Sequence, residues 1–323
     1  MTMEKTEMIE IILNPNGACG QAGKVWDRIE PQFVHSQKPY RVHISHGEDD
    51  IPHLASTLSN QPCDIVVVGG DGSFNQAVNG IVDYEHVRMG LIPAGSGNDL
   101  VRGLGVDHDP SVLAETILKG NTVRKMDVGE VVYYDRCHET RREPVQQDGF
   151  VHHRFVISAG IGFDGQICHD AETSRYKKIL NQIHMGRLIY LLTAIHTITS
   201  TERTRAWIKV DGKTMSYDRL LLCVVMNHPY EGGGFMFCPS ADGNDGILDG
   251  CIANGLSQYD FFRIFPYALK GNHLKFQGVH PFSAHEVEIT TEKPLWVHTD
   301  GETACCSNHI AVRLLKKKIQ MLL

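Results

Sequence analysis

Apolar residues along the first 128 positions come in short runs that alternate with helix-spaced stretches. Residues 10–13 form a β-type run that stops at Asn14-Pro15-Asn16-Gly17, and Gly20 and Gly23 lead into a helical segment over 24–29. Residues 40–45 read as the next strand and 51–58 as a helix. The run 64–68 is apolar after Asp64, as in a parallel strand covered on both faces, and it meets Gly69-Gly70-Asp71-Gly72-Ser73 ahead of a helix from Phe74. A further strand at 89–92 precedes Pro93-Ala94-Gly95-Ser96-Gly97-Asn98-Asp99, and helix resumes at Leu100. This alternation predicts an open, mostly parallel α/β sheet, whose ligands sit beyond the carboxyl ends of the strands. All three glycine loops fall at such ends.

The texture changes after Val128. Strand-like runs at 128–133, 150–158, 206–210, 219–226, 247–253, 286–290 and 295–298 are separated by turns, which predicts a mainly antiparallel, β-rich second domain. One helical interlude, 176–199, spaces Ile179, Ile183, Leu188, Leu191, Leu192 and Ile195 on a single face, suited to capping a pocket or packing on a sheet. The polar stretch 135–147, with Arg136, Arg141 and Arg142, reads as a solvated hairpin loop.

Length and composition narrow the class. The 323 residues correspond to about two domains. At 42% hydrophobic and 21% charged, the chain falls outside the disordered and fibrous classes. With 31 basic against 38 acidic residues the net charge is −7, so the bulk surface attracts neither nucleic acid nor an anionic bilayer, and any membrane contact is local. Nine cysteines without a CxxC pair predict reduced thiols in a cytosol, since adjacent Cys305 and Cys306 are poorly placed to bridge. No export is expected, because residues 1–10 lack a basic n-region. The longest apolar stretch, 188–198, is about half a membrane span and is broken by His196, which predicts a soluble chain or one resting on a membrane without crossing it. The 18 His residues show no spacing that gathers ligands on one helix face, so no zinc site is expected.

A glycine loop after a strand lets backbone N–H groups approach a phosphate at the positive end of the next helix. Such a loop is also an ordinary turn, and neither GxxxxGK[ST] nor GxGxxG is satisfied here. Three loops on one sheet, joined by Asp71 and Asp99, exceed what turns require. These segments resemble the nucleotide-binding motifs of the diacylglycerol kinase catalytic family, which includes sphingosine kinases. Further on, Ala159-Gly160-Ile161-Gly162-Phe163-Asp164, Gly232-Gly233-Gly234-Phe235 with Pro239-Ser240-Ala241, Asp245-Gly246-Ile247-Leu248-Asp249 and Asp300-Gly301-Glu302 resemble its second-domain motifs in the same order.

The resemblance implies a nucleotide-binding α/β domain like that of NAD kinase and phosphofructokinase over 1–128, completed by 308–323, and a lipid-binding β-sandwich over 129–307. It implies ATP held by Asn14, Pro15, Asn16, Gly17, Gly69, Gly70, Asp71, Gly72, Ser73, Asn75, Gly95, Ser96 and Asn98. Acids at Asp71, Asp99 and Asp127 would form a magnesium and water network, which suits a hard cation on phosphate oxygens. A strand-edge acid exposed to water is the competing reading of Asp127. A structural Mg2+ site would use Asp242, Asp245 and the Ile247 carbonyl, against the alternative of an Asp-Gly turn. Glu302 is the favoured catalytic base, with Asp300 as its partner or alternative.

Departures from the family pattern are Ser73, Ser96 and Ser158, of which the first two keep a hydroxyl, and Gln21 and Ala22, which leave Lys24 as the nearest cation. The expected activity is ATP- and Mg-dependent phosphorylation of a lipid hydroxyl, with diacylglycerol leading and sphingoid bases or monoacylglycerol open. The rivals are a soluble-substrate kinase of NAD kinase type, disfavoured by Asn79-Gly80 after the second loop, and a non-catalytic lipid- or nucleotide-binding module. The expected setting is cytoplasmic and peripheral to a membrane, without a transmembrane segment or nucleic acid, and with a homodimer left open. Arg175, Lys177, Lys178 and Arg187 are the headgroup candidates, while 316–318 reads as a solvated terminus.

Overall fold

The computed structural model describes residues 8–15, 17–47, 50–95, 97–135, 145–147, 149–173, 197–198 and 201–323. The chain divides into two compact units, Met1–Val128 with Lys316–Leu323, and Gly129–Leu315.

The first unit contains β1 (Ile9–Leu13), α1 (Gln21–Ser36), β2 (Tyr40–Ile44), α2 (Asp50–Leu58), β3 (Cys63–Gly69), α3 (Asp71–Gly80), β4 (Val87–Pro93), α4 (Asp99–Leu104), α5 (Pro110–Lys119) and β5 (Val123–Met126). Its sheet runs β2-β1-β3-β4, then the C-terminal strand Ile319–Leu322, then β5. Pairing is parallel from β2 through to the C-terminal strand, and antiparallel only between that strand and β5. Every residue of β1 and β3 is buried, as a sheet covered by helices on both faces requires. Helix α1 supplies one cover, with Ala22, Trp26, Ile29 and Phe33 at three- and four-residue steps on its buried face. The Trp26 and Phe33 rings meet at 5.3 Å. Helix α5 is bounded as its sequence dictates: Asp109 accepts the Ser111 N–H at 2.7 Å, Pro110 occupies the first turn, and Gly120 closes the helix at φ +62°.

The second unit contains β6 (Gly129–Tyr133), β7 (Val145–Gln147), β8 (Phe150–Phe155), β9 (Ser158–Gly162), α6 (Phe163–Thr173), β10 (Thr204–Val210), β11 (Lys213–Met226), β12 (Tyr230–Glu231), β13 (Phe235–Met236), β14 (Leu248–Asn254), α7 (Gln258–Ala268), β15 (Val279–Ala284), β16 (Glu286–Thr299) and β17 (Glu302–Leu314). The main sheet runs β15-β14-β11-β10-β16-β17-β6-β8-β7. Strand β9 pairs with the far halves of β11 and β16, whose near halves pair with β10. Bulges after Leu220 and between Thr290 and Leu295 let both long strands serve two neighbours. The strands enclose one apolar cluster that includes Val131, Phe155, Ile161, Ile208, Val225 and Val297.

Several expectations change. The run 286–298 is one strand rather than two, because β17 pairs with it across the irregularity. The run 150–158 breaks after Phe155, where the N–H groups of Val156, Ile157 and Ser158 turn to the Asp300 carboxylate instead of a neighbouring strand. The return to the first unit begins at Lys316, since β17 occupies residues through Leu314 in the second. Cys305 is disulfide-bonded, a correction to the expectation of reduced thiols throughout, since spacing does not reveal which sulfurs folding brings together. The interlude 176–199, with Arg175, Lys177, Lys178 and Arg187, lies outside the described residues except for Thr197 and Ile198. Of the loop 135–147, Asp135 and β7 are described, and Asp135 accepts the Asn308 N–H at 2.8 Å. No helix among the described residues is long and apolar enough to cross a membrane.

Candidate active site

In the first unit the three glycine loops lie at the carboxyl ends of β1, β3 and β4 and are tied together. Asn14 Nδ2 donates to Ser73 Oγ at 3.1 Å, joining the first loop to the second. The Ala94 N–H donates to the Gly69 carbonyl at 2.8 Å, joining the second to the third. A Cβ on Gly95 would stand 2.9 Å from Gly70 Cα, and one on Gly69 would stand 2.8 Å from Ser73 Cβ. Glycine at these points lets two strand ends pack backbone against backbone, a demand that exists before any ligand arrives.

The acids of this unit are each held. Asp71, in the first turn of α3, accepts the N–H groups of Asp99 and Leu100 at 3.0 and 3.2 Å, so it caps α4 from another helix. Asn98, just before α4, is left-handed at φ +51°. Asp99 is buried and paired with Arg102. Asp127 is 1% exposed and lies 2.8 Å from Lys318, which excludes the water-exposed strand-edge reading. Asn75 sits within α3, and its Oδ1 accepts the Asn79 amide at 3.1 Å. Pro15 lies in the first loop, Gly17 opens the 3-10 turn that follows it, and Gly72 lies in the first turn of α3 rather than in a loop; Lys24 is exposed, and Asn16 and Ser96 lie outside the described residues.

In the second unit β16 and β17 form a hairpin closed by Asp300 and Gly301, both at positive φ of +51° and +79°. The Asp300 carboxylate accepts three backbone N–H groups, from Val156, Ile157 and Ser158, at 2.8–2.9 Å. Its own N–H donates to the Ser158 carbonyl at 2.9 Å, so the turn is bolted to the bend between β8 and β9. Glu302, the first residue of β17, is half-buried. The two carboxylates of this motif are therefore unlike: one is an internal acceptor and the other reaches solvent.

The histidine spacing in the sequence points to no site, yet His298 stands behind this turn. Its Nδ1 accepts the Gly301 N–H at 3.2 Å, and its Nε2 lies 3.2 Å from both Asp164 Oδ2 and Glu231 Oε1. Burial opposes a charge on this ring, but the Glu231, Asp164 and Asp300 carboxylates outweigh it and raise the imidazole to about 9. The donor atoms of Asp164, Glu231 and His298 lie within 4.8 Å of one another, a spacing that could suit a cation. When the ring is neutral, the Gly301 N–H donates to Nδ1 and the ring proton lies on Nε2, toward the two carboxylates; when it is charged, both nitrogens are donors. The backbone makes room for it: a Cβ on Gly160 would stand 1.9 Å from Asp164 Oδ2 and 2.5 Å from His298 Nε2.

The loop 242–247 is an exposed turn in which Asp245 Oδ1 accepts the Ile247 N–H at 2.9 Å, and the Asp242 carbonyl accepts the Asn244 N–H at 2.7 Å. Gly246 is left-handed at φ +79°.

The diacylglycerol kinase catalytic domain matches residues 8–131, and the YegS C-terminal NAD kinase beta sandwich-like domain matches residues 158–320. A diacylglycerol kinase of Bacillus subtilis (strain 168) is 26% identical over 295 residues, 90% of this chain and 88% of that protein. A crystal structure of a diacylglycerol kinase from Bacillus anthracis str. Sterne has the same fold at a TM-score of 0.69 and 20% identity, covering 99% of this chain and 97% of that one. Yeast NADH kinase complexed with NADH shares the fold at a TM-score of 0.54 and 10% identity, covering 99% and 84%. With one matching domain in each unit, the chain belongs to the diacylglycerol kinase family of lipid kinases.

Proposed function

We propose that this kinase transfers the γ-phosphate of ATP to a lipid hydroxyl, with Mg2+, and that diacylglycerol is the acceptor and phosphatidic acid the product. The observation that carries the reading is the division of labour in the Asp300-Gly301-Glu302 turn. A base for a hydroxyl must be rigidly placed yet reachable, and here Asp300 fastens the turn through three N–H groups while Glu302 stays accessible beside it.

In this reading Asn14, Pro15, Asn16, Gly17, the 69–73 loop, Asn75, Gly95, Ser96 and Asn98 cradle ATP, with backbone N–H groups at the start of α3 turned to phosphate, since those at the start of α4 are taken by Asp71. Asp71, Asp99 and Asp127 offer hard oxygens suited to Mg2+. Each is already engaged in a hydrogen bond or ion pair, so contact through water fits them better than direct ligation. Bound Mg2+ supplies charge neutralisation on the phosphate oxygens. Glu302 accepts the proton of the attacking hydroxyl as transfer proceeds, and Asp300 holds the turn. Asp245 and Asp242, with the Ile247 carbonyl, form a structural cation site in this reading; their exposed turn offers oxygen donors only.

The test is transfer of labelled γ-phosphate to diacylglycerol, monoacylglycerol, sphingosine and NAD in parallel. Labelled phosphatidic acid that disappears in Glu302→Ala supports the proposal. Transfer to NAD alone, or to no acceptor despite ATP binding, overturns it.

A further inference from the structure

Helix α7 is apolar on both sides, and the described residues pack against only one of them. Its inner face buries Phe261, Ile264 and Ala268, and the first two pack into the cluster that includes Leu222, Val224 and Leu256. On the outer face Tyr259 is 75% exposed, Phe262 43%, Tyr267 44% and, one residue past the helix, Leu269 51%. Four large apolar side chains exposed within eleven residues form a patch, whereas the other exposed ones are scattered through the chain. A helix that is apolar all round is normally covered all round.

The charges around the patch identify the cover. Arg263 lies on the same face, and Lys270 and Lys275 follow the helix. Lys270 and Lys275 have no ion-pair partner among the described residues, and Lys275 sits over the Tyr267 ring at 5.4 Å. Asp260 is the one acid on the helix, and its carboxylate is occupied by Ser257 in a capping box and by Arg263 at 3.5 Å. Aromatic rings with an apolar body and a polar tip, rimmed by unpaired lysines, match the boundary between anionic headgroups and acyl chains. The chain as a whole carries −7, so this positive, aromatic face is a local exception to a surface that anionic lipids repel.

We propose that α7 docks this kinase on an anionic membrane surface, with Tyr259, Phe262, Tyr267 and Leu269 entering the headgroup–acyl boundary and Arg263, Lys270 and Lys275 meeting lipid phosphates. The inference rests on the lipid-kinase reading for the identity of the partner and goes beyond it by naming the surface. A second copy of the chain could also cover an apolar helix face, but two such faces would bring the lysines of both copies together without an acid to meet them.

The experiment is co-sedimentation of the full chain with vesicles of phosphatidylcholine alone or mixed equally with phosphatidylglycerol, without diacylglycerol. Wild type is expected to bind the mixed vesicles at least ~10-fold more tightly, and to be released by about 0.5 M salt. Phe262→Ser with Tyr259→Ser, and separately Lys270→Glu with Lys275→Glu, are expected to lose at least ~10-fold in vesicle affinity. Both should phosphorylate a monomeric short-chain diacylglycerol as wild type does, while losing activity on diacylglycerol in bilayers. Equal vesicle binding by wild type and variants overturns the proposal, as does a wild-type dimer by light scattering that becomes monomeric in Phe262→Ser. Vesicle binding that is lost in the variants, in a protein that phosphorylates no lipid at all, supports docking and overturns the kinase reading instead.

Discussion

Asp71 and Asp300 do the same local job in different units, and the difference between them separates the two halves of the chemistry. Asp71 accepts two N–H groups from the start of α4, next to a glycine loop. Asp300 accepts three, from a bend that the sheet leaves unpaired, and is itself 9% exposed. In the first unit the anchoring acid lies among the groups proposed to meet the nucleotide, so structure and ligand share one carboxylate. In the second unit the proposed roles are split between neighbours: Asp300 anchors, and Glu302 is the carboxylate proposed to meet the acceptor.

The comparison is broken most severely at Asp300. Asp300→Ala leaves three buried donors without an acceptor and is expected to cost ~3 kcal/mol or more, read as a fall in the urea midpoint, with Asp300→Asn recovering part. An unchanged midpoint would contradict the anchoring role. Next comes Gly95→Ala, whose Cβ would stand 2.9 Å from Gly70 Cα. Parting the two loops is expected to cost about 2 kcal/mol and to raise the KM for ATP ~10-fold, and wild-type kinetics would show that the loops need not touch. Asp71→Ala removes a cap worth ~1 kcal/mol, a smaller midpoint change than at Asp300, while phosphotransfer falls much further than stability does.

The smallest effect is a pH dependence at His298. Its imidazole is raised to about 9, so the stabilisation by the surrounding carboxylates is fully present below its ordinary value near 6.5. It is lost as pH rises through 9. The Gly301 N–H bond needs the neutral ring and offsets part of the loss over the same interval. The urea midpoint of wild type should fall from pH 6.5 to 9 relative to His298→Gln, and a rise over that range would contradict the assignment.

What could be read from the sequence follows the range of the interactions. The parallel sheet of the first unit was legible because Ile65 to Val68 and the glycine loops are local signals. Helix α7 carried its own mark in the Ser257 to Asp260 capping box, which the strand pattern around it obscured. The break after Phe155 was not legible, because its cause, the Asp300 carboxylate, lies more than 140 residues away. The cluster behind the turn was hidden for the same reason: Asp164, Glu231 and His298 come from α6, β12 and β16, and only folding brings them together. Glycine identity misled in a milder way, since Gly69, Gly70 and Gly95 are required for loop packing as well as for any phosphate.

The most direct test of the account is transfer of labelled phosphate from ATP to diacylglycerol by Glu302→Gln and Asp300→Asn, each assayed beside its own urea midpoint. The account predicts that Glu302→Gln keeps the wild-type midpoint and loses ~100-fold or more in kcat, while Asp300→Asn loses stability and retains turnover in its folded fraction. A stable Asp300→Asn without activity, beside an active Glu302→Gln, would contradict it and make Asp300 the base.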